Sequence, residues 1–118
     1  MIDTKSKGRE GEEIASNFLE AKGYAIRKRN FHFGRQAEID IIAMKNDLFI
    51  FVEVKMRTNE KYGNPLESIT PAKQKKLKRA AEGFLYVNKI KDIPCRFDVI
   101  IINLIEGQHE ITHYENAF

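Results

Sequence analysis

Apolar and polar positions along this chain follow two different periods, and the switches between them mark the elements. From Gly8 to Lys22, Ile14, Ala15, Phe18 and Leu19 recur at helical spacing, and Gly23 supplies a C-terminal stop. At about 100° per residue, Glu12 falls at the edge of that apolar stripe beside Ala15 and Leu19, whereas Glu13 falls on the solvent side with Glu20. Tyr24 to Phe33 changes to a period of two, with Tyr24, Ile26 and Lys28 on one face and Ala25, Arg27 and Arg29 on the other. This predicts a first strand, followed by a turn at Gly34-Arg35-Gln36. Two β-branched runs, Glu38–Ala43 and Leu48–Lys55, then flank the polar break Met44–Asp47 and read as a hairpin. A polar loop, Met56–Pro65, leads to a second helix with Thr70 as N-cap and Pro71 at its first position. Its core face is Leu77, Ala80, Ala81, Phe84 and Leu85. Phe97–Leu104 carries the continuous run Val99–Ile102, expected of a strand buried on both faces. Glu106-Gly107-Gln108 turns it into a last strand, Glu110–Tyr114. Helix, three strands, helix, two strands predicts an α/β fold, a mixed central sheet of about five strands flanked by helices.

Composition narrows the class. At 118 residues the chain is expected to form one domain, 1–118, with a modest core. Hydrophobic residues at 42% and charged residues at 31% argue against disorder. The single cysteine, Cys95, leaves no intrachain disulfide and no cysteine-rich zinc site. The polar start and the lack of an apolar run near the roughly 18 residues of a membrane span make a cytoplasmic protein the expectation, with no membrane partner. A net charge of +3 permits a nucleic-acid partner without demanding one. No internal repeat, phosphate-binding glycine loop or nucleophile elbow is present, and His32, His109 and His113 lack metal-ligand spacing.

The chemistry enters with the charges inside core-like strands. Phe49, Phe51, Glu53 and Lys55 share one face of their strand, so Glu53 and Lys55 point the same way from its end. Asp40 lies on the neighbouring strand. Charged residues are rarely buried unless paired or bound to a metal. Two carboxylates and a lysine meeting at a strand end can hold a divalent cation and polarise a water. Asp40, twelve residues, then Glu53-Val54-Lys55 resembles the active-site signature of the PD-(D/E)xK nuclease superfamily, which includes archaeal Holliday junction resolvases. Six stretches are more specific: Gly8-x-x-Gly11-Glu12-x-x-Ala15, Arg29-Asn30, Glu38–Ile42, Phe51–Lys55-x-Arg57, Phe97-Asp98-Val99 and the closing Asn116-Ala117-Phe118. Together, and in this order, they resemble the YraN-like family of small bacterial predicted endonucleases over nearly the whole chain. One departure is Ala37, where a glycine is expected.

The resemblance implies a restriction-endonuclease-like core and a metal-dependent endonuclease acting on DNA, branched or damaged DNA included. It assigns catalytic roles to Glu12, Asp40, Glu53 and Lys55. Asp40, Glu53 and the backbone carbonyl of Val54 would hold Mg2+ or Mn2+, cations that favour oxygen ligands. In nucleases of this kind the helix after the Glu-x-Lys strand also supplies a Lys or Gln, which points to Lys73 and Gln74.

Basic residues outside the strands give the binding candidates. Five of the seven residues from Lys73 to Arg79 are basic, among them Lys75 and Lys76, at a helix end where cations oppose the dipole. Arg57 and Lys61 in the following loop are candidates for a backbone phosphate, and Tyr62 for a base. Arg27, Lys28, Arg29, His32 and Arg35 form a second basic edge. DNA is the expected partner, with a homodimer left open. Two other readings stay in play: a non-catalytic nucleic-acid-binding module that retains the nuclease fold, and a structural salt-bridge network at the strand ends. Asp98 reads as a partner of Arg96 and not as a metal ligand.

Overall fold

A computed structural model describes residues 4–35, 37–58 and 65–118. The elements are α1 (Thr4–Ala21), β1 (Ala25–Phe33), β2 (Ala37–Lys45), β3 (Leu48–Arg57), α2 (Pro71–Val87), β4 (Cys95–Ile105) and β5 (Gln108–Tyr114), with one 3-10 turn at Pro65–Ser68. The expected order is present, with α1 beginning four residues earlier than its apolar pattern and β4 two residues earlier. The strands lie in sequence order in one sheet. All pairings are antiparallel except β3 with β4. A parallel pair needs a crossover, and α2 lies within it. Among the described residues no helix is long and apolar enough to cross a membrane.

Each face of the sheet carries one helix, so the central strands are apolar on both sides. Phe49, Phe51, Val99 and Ile101 pack with Leu77, Ala80, Ala81 and Phe84 of α2. Ile41, Ala43, Ile50, Val52, Ile100 and Ile102 pack with Ala15 and Leu19 of α1. Local signals set the helix ends. Gly23, at φ +94, donates to the Glu20 carbonyl while Tyr24 donates to Leu19, which satisfies the last carbonyls of α1. Thr70 caps α2, its Oγ1 accepting from the Lys73 amide at 3.2 Å.

One expectation for β1 needs correcting. The β1–β2 register shifts between Ile26 and Lys28, so the simple alternation does not survive past Arg27. Arg29 therefore reaches α1, on the side where Tyr24 and Ile26 pack, and binds Glu13 at 2.8 Å.

Asp98 is a structural charge, as its place beside Arg96 predicts. It is fully buried and takes Nε and Nη2 of Arg96, both at 2.8 Å, together with Nε2 of His113 at 2.7 Å. The Asn116 amide donates to it at 3.0 Å, the Ala117 amide donates to the Phe97 carbonyl, and the Phe118 ring packs on Phe97. The C-terminal residues are thereby pinned to β4. Burial alone would raise the Asp98 pKa, but the hydrogen bonds from His113, Arg96 and Asn116 outweigh it and hold the carboxyl below its usual range. Because the folded value is the lower one, this stability is present above the unfolded pKa and is lost as pH falls through the folded one. Asp98→Asn keeps the shape and loses the charge, and is expected to cost about 1–3 kcal/mol near neutral pH. Thermal melts across pH check this: the deficit should shrink in acid, and a pH-independent deficit would mean that packing alone is at work.

Candidate active site

The site begins where β2 leaves β3. Their register runs from Lys45 opposite Leu48 to Ile41 opposite Val52 and stops there. Beyond that point β2 stays with β1 as far as Ala37, and β3 stays with β4 as far as Arg57. A wedge opens between the two strands, with Asp40 at its apex. Its Oδ2 accepts the Val54 amide at 2.8 Å, taking the place of a strand carbonyl. An unpaired buried amide would be costly, so the carboxylate is built into the sheet. A residue's amide and carbonyl point to the same edge of a strand, so the Val54 carbonyl faces the wedge as well. Side-chain alternation breaks here too: Ile39 packs on the α2 side, but Ile41 packs on the α1 side.

α1 brings Glu12 to the wedge, as its place on the helical stripe predicts. Glu12 is only 8% exposed, whereas Glu13 lies on the surface. Its Oε2 accepts Asn30 Nδ2 at 2.7 Å, and Arg29 Nη2 stands 4.0 Å away. Asn30 holds a left-handed backbone, φ 55, which asparagine tolerates better than most residues. The Arg29-Asn30 pair therefore serves to seat Glu12.

Glu38 is the carboxylate that the sequence reading left without a role. One oxygen each from Glu12, Glu38 and Asp40 lies within 4.8 Å of the others. The signal was the spacing Glu38-Ile39-Asp40, which puts both acids on the same side of a strand. Burial, then the charge of Glu53, then those of Glu12 and Glu38 push Asp40 from 3.8 up to about 7, against the opposing Val54 hydrogen bond.

Glu53 falls outside this trio, yet it is close enough for its charge to be the strongest acting on Asp40. It is 6% exposed, and its Oε1 lies 3.6 Å from Lys55 Nζ and 3.3 Å from Lys73 Nζ. Two ammonium groups supply its counter-charge. Glu53, Asp40, Glu38, Lys73, Lys76 and Leu77 line one cavity of about 220 Å³. Acids thus form one wall and lysines the other.

The binding candidates divide. Lys73 enters the site. Gln74 does not show a place there: its Nε2 donates to the Ile69 carbonyl at 3.2 Å, which secures the start of α2. Lys75 and Lys76 line a neighbouring groove of about 530 Å³ with Phe33, Arg35 and Arg79. Arg57 is half-buried at the end of β3. Lys61 and Tyr62 lie outside the described residues. In the second basic edge, Arg29 is engaged by Glu12 and Glu13, and His32 Nε2 lies 3.7 Å from Glu38, so Arg35 is the member that reaches the groove.

Oxygen donors convergent at a strand splay suit a hard divalent cation, and the adjacent lysines suit an anionic substrate. Comparison with known proteins gives a family and no activity. The model of the uncharacterised protein family UPF0102 matches residues 11–102, from just before Glu12 to the end of the buried run in β4. A UPF0102 protein of Nitrosomonas eutropha is 44% identical over 118 residues, covering 100% of this chain and 97% of the relative. One from Prosthecochloris aestuarii is 48% identical over 118 residues, 94% of this chain and 91% of the relative. One from Clostridium perfringens is 40% identical over 116 residues, 97% and 94% respectively. With near-complete coverage on both sides, the chain belongs to the UPF0102 family.

Proposed function

We propose that this protein is a metal-dependent endonuclease of the cytoplasm, with a restriction-endonuclease-like core of the PD-(D/E)xK kind, hydrolysing phosphodiester bonds in DNA. The observation that carries this reading is the wedge: Asp40 is fixed at its apex by Val54, and Glu53 and Lys55 project from the facing strand beside it. The donor set fits Mg2+ or Mn2+. Asp40, Glu53 and the Val54 carbonyl would hold it, with Glu12 and Glu38 adding acidic oxygens beside Asp40. Such a cation supplies charge to the phosphate oxygens and lowers the pKa of a water. Lys55 would orient such a water and offset charge growing on the phosphate, and Lys73, on the α2 wall of the cavity, would meet the substrate backbone. The basic groove beyond Lys76 extends the contact.

A non-catalytic nucleic-acid-binding module is the second reading, and the ion pairs of Glu53 with Lys55 and Lys73 favour the third, a structural salt-bridge network at the strand ends. The test is a panel of labelled single-stranded, duplex and junction DNAs with Mg2+, Mn2+ or chelator. Metal-dependent cleavage of at least one is expected. Binding without cleavage of any would transfer the protein to the second reading.

The groove gives a binding prediction. Each phosphate contact adds roughly 0.9 to the log–log salt slope on duplex DNA, so replacing Lys75 and Lys76 by Ala should flatten it by up to about 2. An unchanged slope would return these lysines to plain solvation.

A further inference from the structure

The groove beside the carboxylates holds an aromatic ring as well as cations. Phe33 ends β1, stands opposite Ala37, and is 39% exposed, one of the few large apolar side chains so open among the described residues. One side of its ring rests directly on Gly83 of α2, where a Cβ would collide with three ring carbons. Glycine costs roughly 1 kcal/mol relative to alanine inside a helix, so this seat is held at some expense to α2. The rest of the ring lines the groove of about 530 Å³ with Arg35, Lys75, Lys76 and Arg79.

Those four cations differ from the other basic residues of the site. Among the described residues none of them has a carboxylate within ion-pair distance, whereas Lys55, Lys73 and Arg29 all do. Lys75 and Lys76 also lie in the second turn of α2, far from the C-terminal turn where positive charge would gain from the helix dipole. Neither stability nor internal pairing accounts for their convergence on a fixed aromatic ring. An anionic ligand with a flat apolar face does.

We infer that this groove takes an unpaired stretch of DNA, one base stacking on Phe33 while Arg35, Lys75, Lys76 and Arg79 hold the flanking phosphates. Aromatic rings and basic grooves bind single strands in this way, and the bases of an intact duplex stack on one another and leave no face for Phe33. The same strand continues into the catalytic cavity. Lys76 lines both spaces, and Ala37, opposite Phe33, is three residues from Asp40, about 10 Å along an extended strand. This deepens the nuclease reading by naming its substrate: DNA with an unpaired segment next to the scissile bond.

The test separates binding from chemistry. Fluorescence anisotropy in chelator compares an oligothymidylate of about 12 nucleotides, within the span of common single-strand sites, with a duplex of equal length. Phe33→Leu should weaken single-strand binding by about tenfold, the scale of one lost base stack, and duplex binding by less than about twofold. Phe33→Tyr keeps the ring and should bind like the wild type. Gly83→Ala displaces the ring without touching a charge and should reproduce the selective loss, with circular dichroism confirming that both variants are folded. Equal losses on both DNAs, or none, would overturn the inference even if the wild type cleaves DNA. A selective loss would sustain it even if no metal supports cleavage, and hydrolysis alone would then fall.

Discussion

Asp40→Asn is expected to raise the melting temperature of the metal-free protein at pH 8. Asp40 is crowded by burial and by Glu53, Glu12 and Glu38, and its pKa is pushed up to about 7. The folded pKa lies above the unfolded one, so ionisation opposes folding. That penalty is absent below the ordinary carboxylate range, grows as pH rises from 3.8 toward about 7, and is complete above it. The full rise would be worth on the order of 4 kcal/mol if one residue carried it, and sharing among four acids leaves on the order of 2 kcal/mol for a single substitution. Asn keeps the acceptor for the Val54 amide, so the sheet apex survives. The advantage of the variant should shrink below pH 7 and vanish near pH 4. Adding Mg2+ or Mn2+ should stabilise the wild type, by about 2.7 kcal/mol at a hundredfold excess over Kd, and the variant much less. Melts in chelator and in metal at several pH values decide the matter. A structural ion pair would instead make Asp40→Asn melt lower in chelator, by the roughly 3–5 kcal/mol that breaking a buried pair costs.

Periodicity carried most of the fold. Val99–Ile102 identifies a strand buried on both faces, the runs Glu38–Ala43 and Leu48–Lys55 identify a hairpin, and Thr70-Pro71 fixes the start of α2 because cap and ring act locally. Glu12 and Glu13 were separable for the same reason: a helix converts sequence spacing directly into direction. What spacing could not show is the irregular part. The bulge at Arg27 reverses which face Arg29 reaches, and the left-handed Asn30 bonds Glu12; neither is set by local spacing. The parting of β2 from β3 after Ile41 is likewise a tertiary event, and it gives Asp40 a backbone partner that no motif predicts. Glu38 stood in view within Glu38-Ile39-Asp40, but its use requires α1 to deliver Glu12 to the same place. Gln74 stands at a position that the family resemblance marks for the site, and the bond it makes there, to the Ile69 carbonyl, secures the start of its own helix. The Phe33–Gly83 contact joins residues fifty positions apart, beyond the reach of any local rule.

Lys55→Met should abolish most cleavage while leaving DNA binding and the fold close to wild type. Lys55 is half-buried, with its ammonium 3.6 Å from Glu53 and beside the cavity that Asp40 and Glu53 share. Methionine keeps the apolar stem, so packing at the end of β3 is preserved. The usual danger in removing one partner of a buried pair is the charge left behind. Here Lys73 remains 3.3 Å from the same Glu53 oxygen, so that carboxylate keeps a cation and the melting temperature should move by only a few degrees. Binding draws on the groove cations, which the substitution does not touch. Charge developing on the phosphate has no such reserve at the position of Lys55, and losing one preorganised donor of that kind costs about 10²–10³ in rate. Single-turnover cleavage with Mg2+ or Mn2+, alongside anisotropy in chelator, measures the two effects separately. Wild-type rates would remove Lys55 from the mechanism. A parallel loss of binding would place Lys55 in the substrate grip, with its charge spent equally on ground state and transition state.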